Sequence, residues 1–103
     1  MSEEVKEILP EELEKDIENG SKYTVIDVRE DEEVATGMVP GAKHIALQTI
    51  PDRLNELPKD NEYVMVCRSG RRSHNACMFL NERGYKTVNL KGGMLEWTGE
   101  KVF

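Results

Sequence analysis

An apolar, β-branched run that ends in a cysteine, turns through a glycine and continues as a helical pattern limits what this chain can fold into. The run is Glu62-Tyr63-Val64-Met65-Val66-Cys67. Arg68-Ser69-Gly70-Arg71-Arg72 follows, and residues 73–84 then place Ala76, Cys77, Phe79 and Leu80 at helical spacing before Gly84, a helix stop. The pattern reads as a buried strand, a short arginine-rich loop and a helix.

Cys67 stands at the strand-to-loop junction. A helix N-terminus presents unsatisfied N–H groups and a partial positive charge, and a curled loop of successive N–H groups does the same. A thiol held there ionises readily, with Arg68, Arg71 and Arg72 as further stabilising charges. No carboxylate occurs between Cys67 and Asn81, so the glycine and its arginines read as an anion cradle rather than a solvated face. Cys77, inside the helical pattern beside Phe79 and Leu80, reads as a small core residue.

The rest of the chain alternates strand and helix patterns. Residues 5–9 form a candidate strand, and Pro10-Glu11-Glu12 opens a helix with Leu13 and Ile17 as its apolar stripe, closed by Asn19-Gly20. Residues 23–28 form a continuous, β-branched run, as expected of a strand buried on both faces. The run ends in Asp27-Val28-Arg29-Glu30, charge arriving at the end of a strand where sites form in open α/β sheets. A short helical turn over 30–35, a loop over 37–42, a strand over 44–47 and a helix over 50–57 precede the central strand. Residues 86–90 give the last strand, Gly92-Gly93 breaks it, and residues 94–97 start a terminal helix. The alternation predicts an α/β fold with a five-stranded, mostly parallel sheet and helices on both faces.

With 103 residues, the chain is expected to be one domain over 1–103. Two cysteines and no apolar leader point to a reducing, cytoplasmic setting, and no run is long enough to span a membrane. A net charge of −6 argues against nucleic acid and membrane surfaces as partners. The first 33 residues carry thirteen acids and four bases, whereas the remainder carries seven acids and ten bases. A small anion thus meets a locally favourable field near the cysteine loop.

Three stretches together resemble the single-domain rhodaneses, a sulfurtransferase family, over nearly all of the chain. Asp27-Val28-Arg29, with Glu33 and residues 37–42, is similar to the family's first signature. Cys67-Arg68-Ser69-Gly70-Arg71-Arg72-Ser73 is similar to its active-site loop, and Gly92-Gly93 with Trp97 to its C-terminal signature. Val34 and Met38 depart from the family, which often has an aromatic residue and a histidine there. The resemblance implies that Cys67 takes a sulfane sulfur from a small anionic donor such as thiosulfate. The resulting persulfide passes its sulfur to cyanide, a thiol or a protein, with no metal or organic cofactor. Arg68, Ser69, Gly70, Arg71 and Arg72 bind substrate on this reading. Asp27 and Arg29 support the loop from beneath, Asp27 through backbone donors and Arg29 through Glu33.

Rival readings are a cysteine phosphatase or arsenate reductase, a binding or sulfur-carrier module without turnover, and a thiol switch. The phosphatase pattern needs an arginine after five intervening residues, where Ser73 stands. A non-catalytic module would most simply lack the cysteine. Nothing places Cys77 in disulfide reach of Cys67. His74 reads as solvated, His44 as structural, Trp97 as a core or interface plug, and Met78 and Met94 as gap-fillers.

Overall fold

The computed structural model describes residues 4–103, so Met1, Ser2 and Glu3 of the acidic N-terminal stretch lie outside it. Five strands, β1 (Glu7–Ile8), β2 (Tyr23–Asp27), β3 (Lys43–His44), β4 (Glu62–Val66) and β5 (Lys86–Leu90), form one sheet in the order β1-β5-β4-β2-β3. All four pairings are parallel. Among the described residues, three α-helices, α1 (Pro10–Glu18), α2 (Asp31–Val34) and α3 (Arg71–Asn81), and three 3-10 segments connect the strands. No helix among the described residues is long and apolar enough to cross a membrane.

The period-two alternation of the central strands divides the core in two. Tyr63, Met65 and Cys67 pack with Ile26, Val28 and the α3 residues Ala76, Cys77 and Leu80 on one face. Val64 and Val66 pack with Val25, Val88, Leu90, Leu13 of α1 and Trp97 on the other. Cys67 follows β4 directly and, by this alternation, belongs to the α3 face.

Some boundaries differ from the sequence reading. β1 and β3 are two-residue strands, because each lies at a sheet edge with a single neighbour. Residues 50–57 are not a continuous helix but parts of two 3-10 segments, Leu47–Asp52 and Leu54–Glu56, with Pro51 inside the first. The terminal segment, Gly93–Glu96, is also 3-10. Helix α3 begins at Arg71, two residues earlier than the pattern suggested, because Gly70 caps it at φ +99°. Arg71 and Arg72 therefore lie in its first turn, where cations oppose the helix dipole.

Candidate active site

The loop after β4 wraps its own donors around the Cys67 sulfur. The Gly70 N–H donates to Sγ at 3.0 Å, and the Ser73 hydroxyl lies 3.3 Å from it. Only 1% of Cys67 is exposed. Burial pushes its thiol up, but the Ser73 hydroxyl and the N–H groups of Ser73, Gly70 and Ser69 outweigh it, so the group lies below its ordinary value. The leading causes are hydrogen bonds, not the guanidinium charges to which the sequence reading had given a share. Cys77 is fully buried, and desolvation pushes its thiol up to about 11.

A glycine turn braces this cradle from below. Met94 N–H donates to the Cys67 carbonyl at 2.9 Å and Leu95 N–H to the Arg68 carbonyl at 3.0 Å. Between them and the loop sits Gly93, at φ +59°, where a Cβ would come within 2.5 Å of both carbonyl oxygens. Beside the loop opens a cleft of about 370 Å³ lined by Arg68, Met94, Leu95 and Lys101 among others.

The arginines divide into two classes. Arg68 and Arg71 are exposed and make no ion pair among the described residues. Arg72 instead donates from both Nη atoms to the two carboxylate oxygens of Glu33, each at 2.8 Å. This bidentate pair offsets the unfavourable cation in the first turn of α3 and ties that turn to α2. The loop itself lacks a carboxylate, but the fold brings one from 39 residues away.

Asp27 and Arg29 form a buried pair beneath the site. Arg29 Nε donates to both Asp27 oxygens at 3.0 Å, and its Nη2 donates to Oδ2 at 2.8 Å. Asp27 also accepts the Arg29 backbone N–H, as the sequence reading had it. The expected Arg29–Glu33 ion pair needs correcting: Arg29 reaches only the Glu33 backbone carbonyl, at 3.1 Å, and the Gly37 carbonyl, at 2.7 Å. Burial decides the partner, since Asp27 is fully buried and takes the guanidinium, leaving the half-exposed Glu33 carboxylate to Arg72. His44 donates from Nε2 to the Arg29 carbonyl at 2.7 Å, a structural placement.

The Arg72 hydrogen bonds, followed by the Glu30 N–H, hold the Glu33 carboxyl at about 2, against an ordinary value of 4.5. A depressed carboxyl stabilises the fold above its ordinary value, and that contribution disappears as pH falls through the folded one. Glu33→Gln is therefore expected to lower the melting temperature near neutrality and to flatten its decline between about pH 4.5 and 2. Parallel melting curves across that range test this. A variant with the wild-type acid limb would show that the pair adds nothing.

Two residues without a role in the sequence reading complete the site. Ser73, fully buried, carries the hydroxyl beside Sγ, and Asn89, 2% exposed, accepts a short hydrogen bond from that hydroxyl. Asn89 Nδ2 donates to the Gly70 carbonyl at 2.9 Å. The available signal was Asn89 itself: Val88 and Leu90 face α1, so alternation puts Thr87 and Asn89 on the α3 face.

The rhodanese-like domain family matches residues 9–100. YtwF of Bacillus subtilis is 54% identical over 97 residues, which cover 94% of each chain. Thiosulfate sulfurtransferase GlpE of Pseudomonas aeruginosa is 31% identical over 98 residues, 94% of this chain and 87% of that one. The crystal structure of a rhodanese-like domain protein from Staphylococcus aureus superposes with a TM-score of 0.87 at 40% identity, covering 93% of this chain and 94% of that one.

Proposed function

Because the chain belongs to the rhodanese-like domain family, we propose that it is a sulfurtransferase that carries a sulfane sulfur on Cys67. The observation that carries the reading is a buried cysteine sulfur ringed by hydrogen-bond donors at the mouth of a parallel sheet. In the first step the Cys67 thiolate attacks the outer sulfur of thiosulfate. The S–S bond of the donor breaks, and sulfite leaves with the bonding electron pair. In the second step a thiol, cyanide or protein acceptor attacks the terminal sulfur of the persulfide, and the Cys67 thiolate leaves. The cradle stabilises the anion at both ends of the cycle. Intact mass after incubation with thiosulfate tests the reading: one retained sulfur is expected, and an unchanged mass would remove it.

Asp27 and Arg29 support the loop without touching the donor. Ser69 and Gly70 contribute N–H groups. Arg68 and Arg71 are the cations free to steer an anionic donor, whereas Arg72 is engaged by Glu33. Arg68→Ala and Arg71→Ala are therefore expected to raise the thiosulfate KM several-fold with little change in kcat, and Arg72→Ala to act through loop order and lower both kcat and stability. Added salt should weaken donor capture in the wild type, since exposed charges are screened over about 10 Å at 0.1 M. A KM insensitive to salt and to both substitutions would mean that neither arginine meets the donor.

A phosphoryl ligand fits this cradle less well. Its further oxygens each need a donor, and the position where a phosphatase loop places its arginine holds Ser73, whose one hydroxyl proton already has Sγ and Asn89 as acceptors.

A further inference from the structure

The Ser73 hydroxyl has one proton and two buried acceptors beside it. Sγ of Cys67 lies 3.3 Å away, and Oδ1 of Asn89 is closer still. A hydroxyl donates once, so the two compete for it. Asn89 cannot turn away: its Nδ2 is held by the Gly70 carbonyl at 2.9 Å, its backbone N–H donates to the Lys6 carbonyl at 2.8 Å, and it is paired in register with Glu7 and Met65. We infer that Asn89 is a positioning residue that sets the basicity of the Cys67 sulfur by competing for the Ser73 proton.

In the thiol state the Ser73 hydroxyl serves Asn89. When the sulfur ionises, its proton leaves to solvent and the hydroxyl turns to the thiolate. The buried Oδ1 then loses its donor, which opposes ionisation. Asn89 thus works against the remaining cradle donors and keeps the thiolate from becoming too stable. The chemical benefit is nucleophilicity, which falls as a thiol becomes more acidic. The inference rests on Cys67 being the reacting sulfur and deepens the reading above.

Other charged and titratable groups surround the site. Arg68, Arg71, Arg72 and His74 come from the loop and α3, Asp27 and Arg29 from the end of β2, Glu33 from α2 through Arg72, Glu7 from β1 and Cys77 from within α3. All but Cys77 stay as they are in the variants below.

The experiment follows thiolate ultraviolet absorbance against pH in a Cys77→Ser background, so that one cysteine titrates. Ser73→Ala should raise the midpoint, because the thiolate loses a donor. Asn89→Leu should lower it by roughly half a unit to one unit, the effect of one hydrogen bond. In the Ser73→Ala background, Asn89→Leu should no longer lower it. At pH well above the midpoint, Asn89→Leu should also slow attack on a small disulfide roughly two- to threefold. A merely structural Asn89 gives the opposite sign: a loosened cradle lets the thiol drift up toward its free value. The Gly70 carbonyl keeps the His74 N–H at 3.2 Å in the variant, so its own hydrogen bonding survives. An unchanged or raised midpoint in Asn89→Leu, or in Asn89→Met where leucine prevents folding, overturns the inference, and so does a Ser73→Ala midpoint equal to the wild type. These titrations need no turnover. A missing persulfide after thiosulfate would remove the sulfurtransferase reading and leave the titration result standing.

Discussion

Cys67→Ser is expected to abolish both thiosulfate-to-cyanide transfer and the sulfur retained after incubation, a loss of several orders of magnitude. A serine oxygen cannot hold and release a sulfur atom as a thiolate does. Cys77→Ser is expected to keep both activities. Both cysteines are free and buried, but only Cys67 has loop donors around it, and Cys77, with its thiol near 11, stays protonated at neutral pH. The rate of sulfur uptake should rise with pH through the lowered Cys67 value and then level off. Intact mass and a pH–rate profile on the two variants decide the matter. An active Cys67→Ser beside a dead Cys77→Ser would reverse the assignment.

Gly93→Ala is expected to damage the site from a distance in sequence and at short range in space. The residue sits at φ +59°, where a side chain is strained by about 1–3 kcal/mol. Its new methyl would meet the Cys67 and Arg68 carbonyl oxygens at 2.5 Å. Overpacking against backbone adds about 1–3 kcal/mol more, because backbone cannot swing aside as a side chain can. Against a typical stability of about 5–15 kcal/mol the protein should still fold at low temperature. The cradle should not survive: shifting the loop by about 1 Å can cost on the order of 100-fold in rate. The signature is a folded variant with a lowered melting temperature, a Cys67 thiol closer to its free value and sulfur transfer reduced at least tenfold. Wild-type kinetics in Gly93→Ala would show that the turn does not brace the loop.

Local patterns predicted the parts of the fold that rest on local causes. Strand β5 has the bounds 86–90 read from the sequence, and β2 and β4 each end one residue sooner. Alternation along residues 63–67 is enough to put Cys67 on the α3 side. Edge strands were less legible, because two ladder pairs leave little imprint on sequence. The start of α3 was placed late because Gly70 reads as a loop residue, and only its φ shows that the glycine does the capping. The partners in the site were least legible. Arg72 meets Glu33, and Ser73 meets Asn89, across 39 and 16 residues of chain. Spacing within a motif says which side chains are available, but not which carboxylate or amide the sheet order will bring against them.

The near-complete enclosure of the Cys67 sulfur has a consequence for what other molecules can perceive. On the proposed chemistry, a bound sulfur lengthens the side chain by one S–S bond of about 2 Å. The unloaded protein shows bulky disulfides almost no reactive atom, so it is slow to form dead-end mixed disulfides with them. On that chemistry the loaded protein would offer its outer sulfur, the atom to be handed over. Occupancy would then be signalled by the cargo itself, letting an acceptor tell a full carrier from an empty one.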